Sequence, residues 1–195
     1  MSLCEEIDGT RSLFLARIEE LEANGIILYV LAGIVGEPET VSIADADIKL
    51  ENCAPIFVGT DSRGYKIKFE QYLAYSIRNE SYAMPVAGEV FEGRRFRTYS
   101  RSQYLEFVYS TTFVNNQYPG ATAHYGLVCE DHIIDVVSVD APEIEQWNND
   151  ERCYPRFSDY LGCQPLARQP DKLSRSGCSW RLPKLLLGNE GIENA

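Results

Sequence analysis

The clearest periodicity in the chain runs from Tyr65 to Ile77. Tyr65, Ile67, Phe69, Leu73, Tyr75 and Ile77 share one parity, while Lys66, Lys68, Glu70, Ser76 and Arg78 share the other. A half-buried antiparallel strand has this alternation, with one face in the core and one in water. Gln71 alone breaks the apolar row. The run is also longer than an ordinary strand, so a bend or bulge is expected near Gln71.

The same reading places further elements. Ile48 and Leu50 alternate with Asp47, Lys49 and Glu51 as a strand, and Ile56-Phe57-Val58 reads as a short second one. Phe96 to Tyr99 predicts another. Tyr125–Cys129 and Ile133–Val139 predict a hairpin around Glu130-Asp131. Leu13, Phe14, Ile18 and Leu21 repeat at helical spacing, so residues 11–24 predict a helix closed by Gly25. The apolar run Ile26–Val35 is either a buried strand or a helical turn, and periodicity does not decide between them. Ser100-Arg-Ser-Gln103 fits a capping box, opening a helix that turns Tyr104, Leu105 and Val108 inward. Asn115 to Pro119 reads as a loop.

These elements predict an α+β or mainly β fold: an antiparallel sheet or sandwich of about six strands with two short helices. Strict βα alternation is absent, which argues against a doubly wound nucleotide-binding fold. Five of the nine prolines fall after Ala141 and the periodicity fades there. The expected organisation is a single β-rich domain over 1–140, with 141–195 as a proline-rich, irregular extension.

Composition narrows the function classes. The chain of 195 residues is 45% hydrophobic and 24% charged, ordinary for a protein with a real core. Its net charge of −11 repels phosphate backbones and anionic membranes, so neither general nucleic-acid binding nor membrane association is expected. The Ile26–Val35 run is about half the length of a membrane span. The acidic start Met-Ser-Leu-Cys-Glu-Glu does not read as a signal peptide. The six cysteines, at positions 4, 53, 129, 153, 163 and 178, contain no CxxC and match no zinc spacing. A cytoplasmic protein with reduced thiols is the expectation, and the sequon Asn79-Glu-Ser81 is then without consequence.

Titratable residues concentrate between His124 and Asp135, which hold both histidines and Cys129. A two-residue turn at Glu130-Asp131 sets Cys129 opposite His132, Leu127 opposite Ile134 and Tyr125 opposite Val136. Cys129 and His132 then share one face, while His124 and Asp135 are diagonal neighbours on the other. The two histidines point to opposite sides and do not share a metal. Two pairs remain as candidates: a thiolate–imidazolium pair of Cys129 and His132, and His124 as a base oriented by Asp135. For each, ordinary packing or a structural hydrogen bond is the competing explanation.

Binding candidates are Tyr72, Arg78 and Glu80 at the end of the long strand. The basic cluster of Arg94, Arg95, Arg97 and Arg101 adds to them, with Tyr99 on the same face as Arg95 and Arg97. A solvated Arg78–Glu80 pair and neutralisation of the chain's own acids are the plainer alternatives. No phosphate-loop, dinucleotide, serine-hydrolase, zinc-protease or calcium-loop motif occurs, and no cofactor is expected. The leading expectation is a non-catalytic binding protein whose partner is another, basic protein, as for an acidic inhibitor or immunity-type protein. A small hydrolase or transferase built on His124/Asp135 or Cys129/His132 is the second. A small-ligand binder with a tyrosine- and arginine-lined cleft is the third.

Overall fold

A computed structural model describes residues 2–43, 48–115 and 117–148. The fold is mainly antiparallel β with two short α-helices. In chain order the elements are α1 (Leu3–Gly9), β1 (Leu13–Glu20), β2 (Ile26–Ala32), β3 (Ile34–Val35), β4 (Glu39–Ile43), β5 (Ile48–Cys53), β6 (Ile56–Phe57) and β7 (Gly64–Phe69). They continue with β8 (Tyr72–Asn79), β9 (Val90–Glu92), β10 (Phe96–Arg101), α2 (Gln103–Thr111), β11 (Ala123–Val128), β12 (His132–Ser138) and β13 (Glu143–Trp147). No helix among the described residues is long and apolar enough to cross a membrane.

Two sheets carry the architecture. One has the order β1-β2-β7-β13 and the other β8-β12-β11-β10-β9. Their facing side chains form one apolar cluster. Leu13, Ile26, Leu28, Val30, Tyr65, Ile67 and Phe69 come from the first sheet; Phe96, Tyr125, Leu127, Ile134 and Val136 come from the second. Phe69 and Tyr125 meet across the layer with ring centroids 5.6 Å apart. Burying these side chains is the main driving force for the sandwich.

The long alternating run is two strands rather than one. The chain breaks at Glu70-Gln71 and crosses from β7 in the first sheet to β8 in the second. The apolar parity survives because both strands face the same core. A register shift at Val137/Ser138 in the β12–β8 pairing then turns Tyr72 toward that core, beside Tyr75.

Residues 11–24 are not helical, as their spacing predicted, but form β1 and a single 3-10 turn over Glu22–Asn24. A bulge between Leu15 and Arg17 skips one position in the ladder with β2. Leu13, Leu15 and Ile18 thereby all pack on the core side, and a bulged strand produces the spacing of a helix. Ile26–Val35 resolves to strands. Ile26, Leu28 and Val30 face the main core, while Ile27, Tyr29 and Leu31 face a second cluster with Trp147. A central strand covered on both faces reads as an unbroken apolar run.

The region after Ala141, expected to be irregular, contributes an ordered edge strand. Glu143–Trp147 pairs along β7, and Gly64 admits it: a Cβ there would lie 2.4 Å from the Trp147 carbonyl oxygen. The predicted extension beyond it, residues 149–195, lies outside the described residues. Helix α1 was not expected. It carries its own capping box between Ser2 and Glu5.

Candidate functional site

The β11–β12 hairpin turns through Glu130-Asp131, with Cys129 N–H donating to the His132 carbonyl at 2.8 Å. Tyr125 pairs with Val136 and Leu127 with Ile134. His124 and Asp135 therefore lie on the face away from the core, and Cys129 and His132 turn the other way. That outer face is roofed by α2, whose Val108 is buried.

Under α2 the polar side chains join into one chain of hydrogen bonds. Ser102 Oγ lies 2.6 Å from His124 Nδ1, and His124 Nε2 lies 3.0 Å from Asp135 Oδ1. The other carboxylate oxygen, Oδ2, takes Arg78 Nε at 3.2 Å and Nη2 at 2.9 Å, with Ser76 Oγ at 3.4 Å. Ser102 is also the N-cap of α2, its oxygen accepting from Leu105 N–H at 3.0 Å. The Ser102 oxygen accepts from Leu105 N–H and shares a second hydrogen bond with Nδ1. The carboxylate only accepts, so His124 Nε2–H donates to Asp135 Oδ1.

Burial pushes the Asp135 carboxyl up, but the His124 hydrogen bond and the Arg78 charge outweigh it and hold it below the ordinary carboxylate value. Tyr99 pairs with His124 across β10 and β11 and stacks on its ring at 4.0 Å. Gly126 makes space for that ring, since a Cβ would come 2.9 Å from Tyr99 Cε2. Tyr104, from α2, approaches the imidazole at 5.4 Å. Ser102, His124 and Asp135 are 4%, 1% and 2% exposed.

The sequence candidates separate here. His124, Asp135, Arg78 and Tyr99 meet in this relay. Ser102, absent from the candidates, closes it. The cap belongs to Ser102 rather than Ser100, which sits in β10 and donates to the Val90 carbonyl. Two serines spaced by one residue offer equivalent caps in sequence, and the tertiary partner His124 selects between them.

Cys129 and His132 do not form an activated pair. Burial pushes the Cys129 thiol up to about 12, above any nearby positive charge's ability to ionise it at neutral pH. Glu80 does not join Arg78; it is exposed in a 3-10 turn, where its N–H donates to the Asp131 carbonyl. Tyr72 stands edge-on to Tyr75 at 4.9 Å on the core side rather than beside Arg78.

Arg94, Arg95 and Arg97 of the basic cluster are committed locally. Arg95 pairs with Glu130 at 2.9 Å, and Arg94 binds the Asp8 carbonyl with Nε and Nη2 at 3.1 and 3.0 Å. Asp8 Oδ1 in turn accepts the N–H groups of Arg94, Arg95 and Phe96 at 3.1, 2.9 and 2.8 Å. Arg97 lies over the Phe91 ring at 4.2 Å. A cleft of about 460 Å³ opens elsewhere, between α1 and the start of β3, lined by Glu5, Glu6, Gly33, Asp61, Arg63 and Tyr65. Tyr72, Arg78, Arg95, Arg97 and Tyr99 do not line it. Among the described residues, no three His, Cys, Asp or Glu side chains are grouped to hold a metal ion.

Comparisons with protein-family models, with curated proteins and with solved structures each returned no match.

Proposed function

We propose that this chain is a non-catalytic binding protein whose partner is another protein. One observation carries the reading: the constellation that most resembles catalytic machinery is closed. Ser102, His124 and Asp135 stand in the order nucleophile, base, orienting acid. Yet the Ser102 oxygen caps α2 and is 4% exposed. The backbone N–H of Gln103, the natural oxyanion donor beside it, donates to Glu89 Oε1 at 3.2 Å. Tyr99 and Tyr104 flank the imidazole. A reacting carbon needs to approach the nucleophile within ~3–3.5 Å, and these neighbours occupy that space. A relay of this kind ties a helix to a sheet: α2 is held through its cap, and Arg78 brings the balancing charge from β8.

The net charge of −11 supports a basic partner over an acidic one. A hydrolase is the second reading, favoured by the 2.6 and 3.0 Å spacings alone. The two separate on a panel of generic ester, phosphate and glycoside substrates, run on the wild-type chain and on Ser102→Ala. No turnover above buffer is expected from either. Turnover by the wild type that disappears in a folded Ser102→Ala chain overturns the binding reading and establishes the hydrolase.

A further inference from the structure

We infer that the ribbon formed by β3–β6 is the surface on which the partner docks, and that the partner presents an extended segment alternating basic and apolar residues. The inference rests on the binding-protein reading and names the surface and chemistry that it leaves open. After Ala32 the chain leaves the first sheet and returns to it at Gly64. Between these points, among the described residues, β3 pairs only with β6, and β4 only with β5. Residues Glu37–Val41 and Lys49–Asn52 are all exposed. A two-stranded ribbon is marginal in water unless something covers it.

Its surface sets exposed apolar positions among polar and acidic ones. Val41 and Leu50 are directly paired and are 40% and 45% exposed. Val35, Ile56 and Phe57 add exposed apolar area nearer the body. Apolar side chains concentrated on one exposed element mark an interaction surface, whereas scattered ones do not.

Charge selects the occupant. Over residues 33–59 the sequence holds Glu37, Glu39, Asp45, Asp47 and Glu51 against Lys49, five acids to one base, a net of −4. Two copies of such a ribbon repel each other, which disfavours self-pairing. A partner with lysine or arginine interleaved among apolar residues satisfies both features. Among the described residues no strand lies beside the outer edges of β4 and β5, so such a segment can add by main-chain hydrogen bonds, its alternate side chains meeting Val41 and Leu50.

A synthetic peptide of alternating lysine and valine is the probe, with a glutamate–valine peptide as its counterpart. Binding to the full chain is followed by titration calorimetry and backbone amide shifts. The lysine peptide is expected to bind and to shift the β4 and β5 amides, and the glutamate peptide is expected not to bind. Val41→Ser with Leu50→Ser, and separately Glu39→Lys with Glu51→Lys, should each weaken binding by about tenfold or more. All four positions are exposed, so the variants should keep the wild-type unfolding midpoint. Absence of binding, binding unchanged in both variants, shifts confined to another surface, or a wild-type chain that self-associates through the ribbon overturns the docking inference. None of these results involves substrate turnover by Ser102, which alone tests the binding-protein reading.

Discussion

His124 and Asp135 meet diagonally across β11 and β12, with Nε2 3.0 Å from Oδ1 and both side chains almost wholly buried. The contact places a carboxylate beneath α2, where among the described residues three side chains meet it: His124 through Nε2, Arg78 through two nitrogens, and Ser76 more distantly. Because the Arg78 side chain is 44% exposed, its charge is partly shared with solvent, and the buried His124 bond is the stiffer half of the pair.

Replacing Asp135 with alanine therefore orphans the His124 N–H in a dry site and leaves Arg78 to water. The expected loss is about 2–3 kcal/mol, read from the shift in urea midpoint at constant slope. Asp135→Asn keeps the shape and tests the charge. The folded-state pKa of Asp135 is depressed, so its contribution is fully present above the unfolded carboxylate value and is lost as the pH falls through the folded one. The stability gap between wild type and Asp135→Asn should persist at neutral pH and close below about pH 4. A gap that instead opens on acidification would refute the assigned direction.

Ser102 holds the relay and the helix together. Ser102→Ala removes both the Leu105 cap and the His124 partner, and should cost about 1–2 kcal/mol. Ser100→Ala removes only an exposed bond to the Val90 carbonyl and should stay within about 0.5 kcal/mol. Equal losses in chemical unfolding would mean that the cap is shared between the two serines.

Gly126 is required by the Tyr99 ring rather than by its own backbone. A methyl group there meets Cε2 at 2.9 Å, so Gly126→Ala should cost about 1–3 kcal/mol through overpacking. Tyr99→Ala empties the space. In the double mutant the two losses should fall well short of their sum, and a double-mutant cycle measures the coupling. Strict additivity would remove the steric explanation.

Much of this site is readable from local rules, and its gaps have physical causes. The hairpin register follows from a two-residue turn and strand alternation, which is enough to set His124 and Asp135 on one face and His132 on the other. Arg78 stands among the sequence candidates, but its pairing with Asp135 escapes because it depends on β8 lying beside β12, a contact between residues 57 positions apart. Ser102 escapes because two serines compete for one cap. Strand β1 looks helical because its bulge sends Leu13, Leu15 and Ile18 to one side. The ribbon is partly visible in the alternation around Ile48 and Leu50. That its strands pair with neither main sheet among the described residues is a tertiary fact with no local signature.

Cys129 offers the sharpest test of the hairpin's inner face. Its sulfur is 1% exposed within the main apolar cluster, and burial pushes its thiol up to about 12. Nucleophilic thiol chemistry requires the thiolate, and access to the reagent as well. In the native chain at pH 8, iodoacetamide should modify exposed Cys4 and leave Cys129 untouched, and in urea both should react. Peptide mass mapping distinguishes the sites. Because only unfolding exposes Cys129, its native labelling rate should track the global opening equilibrium and rise in Asp135→Ala about tenfold for each ~1.4 kcal/mol of stability lost. Rapid native labelling of Cys129 would instead restore it as a candidate nucleophile beside His132.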